Sequence, residues 1–428
     1  MDQYSHSVTL DSEKCKGCTN CIKRCPTQAI RVQGGKAKIL PELCIDCGEC
    51  IRVCPHHAKR AVYDPFESIE KFKYKIAIPA PSLYGQINNL TDINYCLTAL
   101  IDIGFDDVFE VATAAEIISN ATSKLMKTGK LKYPVISSAC PAVERLIRIR
   151  FPRLCENILP FHSPMEYAAR LAKRRAAEKT GLDRADIGVF FISPCPAKIT
   201  DIKHPINSET SSVDGALAIS DIYPRLVSAM NKIEVPKQLA NSSMIGVGWA
   251  NSGGESIAIK DNYYLAADGI ENVIKVLEEV EDDKLNGLHF IELNACSGGC
   301  VGGVLTVENP YVAKARIHLL KSHIPCKQEE SCDSDVEAEL TWKQPLTSAP
   351  ALKLSEDLNE ALEMMRKIEE INKRLPGLDC GSCGSPTCRA LAEDIVRGHA
   401  VESDCVFKLR DKVRKLAQTF ETLNIEDI

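Results

Sequence analysis

From residue 71 to about 325 the hydrophobic pattern alternates short, β-branched apolar runs with longer stretches of helical periodicity. The runs YKIAIPA, DDVFEVA, YPVISSAC, IGVFFISPC, ALAISD, MIGVGWA and LHFIELNAC predict strands. Between them SPMEYAARLAKRRAAEKTG and IENVIKVLEEVED predict amphipathic helices. Strand–helix alternation of this kind predicts an α/β domain with parallel sheets. After a polar, Pro- and Ser-containing stretch that reads as a linker, a helix is expected from about Ser355. Near the end of the chain Val406, Leu409, Val413, Leu416, Phe420 and Leu423 recur at gaps of three and four. Such a short heptad seam suits either a partner helix or packing on its own domain. The expected division is residues 1–70, 71–325, a linker 326–352, and a small, mostly helical domain 353–428.

Composition changes this picture in one respect. The net charge of -6 and 45% hydrophobic content are ordinary, and no run is long enough to span a membrane. The first residues lack the apolar core of an export signal, so the expectation is a cytoplasmic protein with no membrane or nucleic-acid partner. Yet the chain holds 20 cysteines. In a reducing compartment that density argues for metal ligation rather than disulfides.

Eight of them form a doubled motif. Cys15, Cys18, Cys21 and Cys25 follow C-x2-C-x2-C-x3-C before Pro26, and Cys44, Cys47, Cys50 and Cys54 repeat the spacing before Pro55. This is the run of two-cluster ferredoxins, in which the fourth cysteine reaches across to the other cluster. One [4Fe-4S] cluster is therefore expected on Cys15, Cys18, Cys21 and Cys54, and the second on Cys44, Cys47, Cys50 and Cys25. Cys380, Cys383, Cys388 and Cys405 give a further four-ligand set in which Gly381 and Gly384 allow tight turns. Its spacing resembles a small [4Fe-4S] domain of redox and corrinoid proteins; a structural zinc ion would suit the same residues.

Four more cysteines occupy the middle domain. Cys140, Cys195 and Cys296 stand at the ends of predicted strands, where parallel sheets gather ligands. Cys300 follows in NACSGGCVGG, and Gly298 and Gly299 let the backbone curl closely around a bulky cofactor. Cys96 and Cys155 read as core residues, Cys326 and Cys332 as linker thiols.

The segments SSACPA, SPCPAK and NACSGGCVGG resemble the three signatures of the [FeFe]-hydrogenase large subunit. The likeness extends through IPAPSLYG, DIGFDDVFEVATAAE and FHSPMEYAARLAK. It implies that Cys140, Cys195, Cys296 and Cys300 hold the [4Fe-4S] half of an H-cluster, with Cys300 bridging to a diiron unit carrying CO, cyanide and a dithiolate. Lys198 and Ser82 match donors to iron-bound cyanide, a strong acceptor that suits a buried ammonium. The likeness also implies H2 and protons as substrates, maturation proteins, and a ferredoxin-like redox partner or signalling protein.

The departures matter as much. Ala139 stands where catalytic members carry a proton-donating cysteine. IISNATS, following TAAE, lacks their acidic relay residues, Ser193 and Asn294 replace two methionines beside the diiron unit, and GGVLT replaces the usual GGGQP. A retained cofactor cage with a severed proton path resembles the sensory branch of the family, in the form with a C-terminal cluster domain. The competing expectations are a working hydrogenase with a different proton route, and a non-catalytic assembly protein that binds no diiron unit. Two exits are expected for the signal: the basic N-terminal segment, with ten Lys and Arg against six Asp and Glu over residues 1–60, and a homodimer through the C-terminal helix.

Overall fold

The computed structural model describes residues 6–325, 334–349, 351 and 353–426; Cys326 and Cys332 lie outside the described residues. The chain divides into two compact units. The first comprises residues up to Val8, Ile45–Gly48 and Ala61–Ala349; the second comprises Thr9–Cys44, Glu49–Arg60 and the chain from Pro350 onward. The N-terminal residues and the C-terminal cysteine segment thus fold largely as one body.

Four short strands belong to the N-terminal 61 residues: β1 (Val8–Leu10), β2 (Ile30–Gln33), β3 (Lys36–Ile39) and β4 (Lys59–Ala61). β2 and β3 form an antiparallel hairpin turned by Gly34 and Gly35.

The first unit is α/β, as the alternation predicts. Its strands are β5 (Tyr74–Pro79), β6 (Asp107–Val108), β7 (Val135–Ile136), β8 (Ile187–Ser193), β9 (Gly215–Ala218), β10 (Tyr264–Asp268) and β11 (Phe290–Asn294). They build two parallel sheets, in the orders β6-β5-β8-β9 and β10-β11-β7. All seven residues of β8 are buried. Each large aliphatic or aromatic residue among them contributes about 1.5–3 kcal/mol relative to exposure. The helix Pro164–Thr180 begins and ends where its sequence says it should. Ser163 Oγ accepts from Glu166 N at its start, and Gly181 closes it in a left-handed conformation.

Three expectations need correction. MIGVGWA is not a strand: Met244–Gly248 is helical, with Ser243 Oγ accepting from Ile245 N. Packing decides here. A Cβ on Gly246 would lie 2.2 Å from Ala112 O, so the segment is held against the helix Val111–Lys127 at a distance only glycine permits. Strand β10 lies in a segment for which no strand was expected. The runs around Val108 and Val135 shrink to two-residue strands.

Within the stretch read as a linker, Ser334–Leu340 is helical, and Leu340 and Trp342 are buried in the first unit. In the second unit, helices Leu358–Arg374 and Cys388–Val396 surround the C-terminal cysteines, and Val406–Glu426 forms a terminal helix. The described part of its seam is open to solvent: Val406, Leu409, Val413, Leu416 and Phe420 are all exposed.

Candidate metal centre

The ends of the parallel strands converge on one cavity in the first unit, with a volume of about 50 Å³. Its walls are apolar where Val111, Ala115, Met165 and Phe191 meet, and polar where Lys198, Glu255, Glu292, Asn294 and Cys300 face inward beside Ala139. Cys300 lines it, Cys140 and Cys195 lie within electrostatic reach of Lys198 on its wall, and all four cysteines sit at loop ends rather than on the strands themselves. Cys140 precedes the helix Pro141–Arg150, and Cys195 precedes the helix Pro196–Lys203, each at the N-cap position. Both thus sit at helix ends whose dipoles favour negative charge. Cys296 follows β11, and Cys300 opens a turn of 3-10 helix. Gly299 makes that turn possible. Its φ is 94°, and a Cβ there would lie 2.4 Å from Ser252 N.

Lys198 ties the thiols together. Its Nζ donates to Ala139 O at 3.0 Å. Burial works against its charge, but the thiols of Cys300, Cys195 and Cys140 outweigh that and hold its pKa above the ordinary value. Burial in turn pushes the Cys300 thiol up to about 12. A free thiol at Cys300 would stay protonated; a cation is needed to hold it as a thiolate. Ser82 supplies a second observation. It is fully buried, and its Oγ has no hydrogen-bond partner within the protein. A buried hydroxyl is ordinarily satisfied, so this one is left open to an acceptor that the polypeptide does not provide; Ser82 is not itself in the cavity lining, but its neighbour Pro81 is. The residues fit a cofactor that is anionic, metal-bearing and hydrogen-bond-accepting.

Ser193 does not line the cavity. Its Oγ donates to Cys195 O and accepts from Cys195 N, fixing the turn that carries this thiol. Asn294 does line it, with Nδ2 donating to Glu292 at 2.9 Å. Gly298 N donates to Asp268, which holds the NACSGGC turn on the sheet.

Residues 73–264 and 255–304 match the iron-only hydrogenase large subunit, C-terminal domain. The chain belongs to the iron-only hydrogenase family. Residues 7–55 match a 4Fe-4S dicluster domain, and residues 375–407 match a family of Fe-S cluster segments. Iron hydrogenase 1 of Clostridium pasteurianum is 23% identical over 403 residues, covering 77% of this chain and 70% of that protein. The periplasmic [Fe] hydrogenase large subunit of Nitratidesulfovibrio vulgaris is 25% identical over 363 residues, covering 70% of this chain and 86% of that protein. A solved [FeFe]-hydrogenase variant from Chlamydomonas reinhardtii aligns with a TM-score of 0.46 at 16% identity, covering 70% of this chain and 93% of that one. Among the described residues no helix is long and apolar enough to cross a membrane.

The hydrogenase-family cavity holds two carboxylates that motif reading misses. Glu255 and Glu292 are both buried and both line the cavity. Glu292 accepts from Gly253 N, Ser256 N, Ser256 Oγ and Asn294 Nδ2, all at 2.9–3.0 Å. Glu255 has one neutral partner in view, Ser137 Oγ at 2.5 Å, and Ser137 Oγ accepts from Ala139 N at 3.1 Å. Burial first, and Glu292 second, raise Glu255 well above the usual carboxylate range. Burial raises Glu292 above the usual carboxylate range as well, but its four donors pull it back, so of the two carboxyls Glu255 holds a proton the more firmly. A signal was available in the sequence, since Glu292 interrupts the apolar run of β11. The TAAE glutamate, by contrast, is spent on structure. Glu116 accepts from Ser243 N and Gly246 N and anchors the helix that replaces the expected strand.

The other cysteines are placed as follows. In the second unit Cys15, Cys18, Cys21 and Cys54 line one cavity, so the fourth thiol of the second motif meets the first three of the first. Backbone N–H groups point at sulfur here, from Ala37 to Cys15 and from Ala58 to Cys54. Cys25, Cys44 and Cys50 lie in the second unit, and Cys47 in the Ile45–Gly48 segment of the first. Cys383, Cys388 and Cys405 pack in one small core, and Cys380 is close enough to Cys383 to perturb it. Cys96 and Cys155 are buried.

Proposed function

We propose that this chain is a slow, sensory member of the iron-only hydrogenases: it oxidises or binds H2 (H2 ⇌ 2H+ + 2e−) and passes electrons or a redox signal through [4Fe-4S] clusters. Cys140, Cys195, Cys296 and Cys300 hold the cubane of an H-cluster, with Cys300 shared with a diiron unit delivered by maturation proteins. Two [4Fe-4S] clusters occupy the N-terminal motifs, and a third accessory cluster sits on Cys380, Cys383, Cys388 and Cys405. The recipient is a ferredoxin-like redox partner or signalling protein in the cytoplasm.

The observation that carries this reading is the pairing of a cavity-lining ammonium and an unpartnered buried hydroxyl with an inert neighbour. Lys198 keeps its ammonium among the thiols, and Ser82 keeps a free hydroxyl, while Ala139 offers nothing that titrates. When bound, the diiron unit supplies the site at which H2 is split or formed. Lys198 balances its negative ligands, and Val111, Met165 and Phe191 exclude water. A positioned acid or base contributes about 10²–10⁴-fold to a rate, which is the size of the expected deficit. The donors also argue against the assembly-protein reading, because a cubane alone does not need them.

A second reading, a working enzyme with a different proton route, is favoured by Glu255. Ser137 Oγ donates to its Oε2 and accepts from Ala139 N, so a carboxyl able to hold a proton stands near the position where the side-chain donor is missing. Infrared spectroscopy of the matured protein tests the first claim: CO and cyanide stretches are expected, and their absence would reject the H-cluster. Turnover then separates the two readings, since a rate equal to that of catalytic relatives would reject the sensory one.

A further inference from the structure

Arg31 and Asp394 stand 363 positions apart in sequence and form a buried, two-pronged ion pair. Arg31 Nε donates to Asp394 Oδ2 at 2.5 Å and Nη2 donates to Oδ1 at 3.2 Å. Asp394 Oδ2 also accepts from Ser385 Oγ at 2.9 Å, and Arg31 Nη1 donates to Gln28 O and Ile30 O. Both side chains are under a tenth exposed. Removing two such charges from water is costly unless the geometry is good and the remaining donors are satisfied, as here. The pair joins hairpin β2–β3 to the loop Cys380–Cys388 and the helix after it, all within the second unit.

Two close approaches accompany it. Val32 N donates to Gly384 O at 2.8 Å, and a Cβ on Gly384, whose φ is 88°, would fall 1.8 Å from Val32 O. Gly381 faces Ile22 and Lys23, where a Cβ would lie 3.3 and 3.4 Å from their side chains. Ile22 and Lys23 directly follow Cys21. Both glycines lie between ligands of the C-terminal set, so the turn that would wrap one cluster is seated on the helix that holds the other.

We propose that Arg31–Asp394 is a latch holding the C-terminal cysteine site against the Cys15, Cys18, Cys21 and Cys54 site, and that the two exchange electrons directly across Ile22–Lys23 and Gly381. The C-terminal site is then the outer terminal of the electron path, rather than a separate structural knot. This rests on the reading of both sites as [4Fe-4S]. In the step one electron leaves the reduced N-terminal cluster, which returns from 1+ to 2+, and takes the C-terminal cluster from 2+ to 1+. No bond or proton changes hands.

Electron paramagnetic resonance of the full-length, reconstituted and dithionite-reduced protein tests the proposal. In the native chain the spectrum is expected to show spin–spin broadening that disappears in Cys383→Ser, which lacks the C-terminal cluster. The double variant Arg31→Met with Asp394→Leu removes the latch while filling its volume, and Gly384→Ala pushes the turn off Val32. Each is expected to lose that broadening while keeping about sixteen irons per chain, from sixteen cysteine ligands. Arg31→Lys, which keeps the charge but not the fork, is expected to retain part of it. A native spectrum without such broadening, or one unchanged in both latch variants at full iron content, overturns the proposal. Iron near twelve with one zinc overturns the cluster reading and the proposal with it.

Discussion

Ser137 Oγ lies 2.5 Å from Glu255 Oε2 and links that buried carboxyl to the backbone N–H of Ala139. The position at which a proton donor is missing from the side chains is therefore two hydrogen bonds away from a group that can hold a proton. Replacing Glu255 with Gln keeps the shape and the bond to Ser137 but cannot exchange a proton. On the working-enzyme reading turnover is expected to fall about 10²–10⁴-fold with the infrared bands of the cofactor in place. An unaltered rate would exclude this route.

The same carboxyl sets a pH dependence of stability. Burial, and then Glu292, raise Glu255 well above its unfolded value of 4.5. A group raised in the folded state contributes stability in full below the unfolded value, and loses it as pH rises through the folded one. The advantage of the native chain over Glu255→Gln should therefore shrink from pH 5 towards pH 8. Urea unfolding of both proteins across that range measures it; a gap that widens with pH would contradict the assignment.

Ala139→Cys restores a titratable group beside the cavity. The gain in turnover is expected to be small, because IISNATS still offers no acid beyond it and a proton path works only end to end. Recovery to the rate of catalytic relatives from this single change would show that the downstream break does not matter.

Lys198→Met removes the ammonium but keeps the length of the side chain. Cubane iron is expected to survive and the CO and cyanide bands to be lost or much weakened, since an anionic diiron unit would face an apolar pocket. Ser82→Ala costs only one neutral hydrogen bond, about 1 kcal/mol, and should shift a single cyanide band. Unchanged CO and cyanide bands in both variants would mean that neither acts through the diiron unit.

The α/β class and the parallel sheets were legible because β-branched runs such as IGVFFIS carry their own burial signal. The crossover of the doubled N-terminal motif was legible because spacing encodes it, and Cys15, Cys18, Cys21 and Cys54 line one cavity. Met244–Gly248 was not, because its helix is imposed by contact with Ala112 and by the carboxylate of Glu116, neither of which leaves a local trace. Glu255 and Glu292 were not, because they are made neighbours of Ala139 by the sheet and carry no motif. Pattern reading finds residues that announce a cofactor; it misses those that only share its cavity.

Deleting residues 406–428 tests the terminal helix. Val413 and Phe420 are 56% and 66% exposed, so the seam is uncovered in a single chain. A dimer in light scattering should become a monomer, with the cofactor bands unchanged. Arg410 and Lys412 flank the seam and would lie against the partner helix in a self-pair, so added salt should tighten it. A truncated protein that stays dimeric would move the interface elsewhere.

The latch between Arg31 and Asp394 also orders events at the ribosome. Arg31 emerges early, yet its partner is translated 363 residues later, after the whole hydrogenase-like unit. Until then the hairpin carries a guanidinium without its carboxylate, and the contact has one of the longest loop closures the chain can offer. The body that begins first is the last to be finished. A chain cut short anywhere before Asp394 is left with its earliest cysteines in an unclosed fold, so only full-length product presents a completed surface to whatever loads iron.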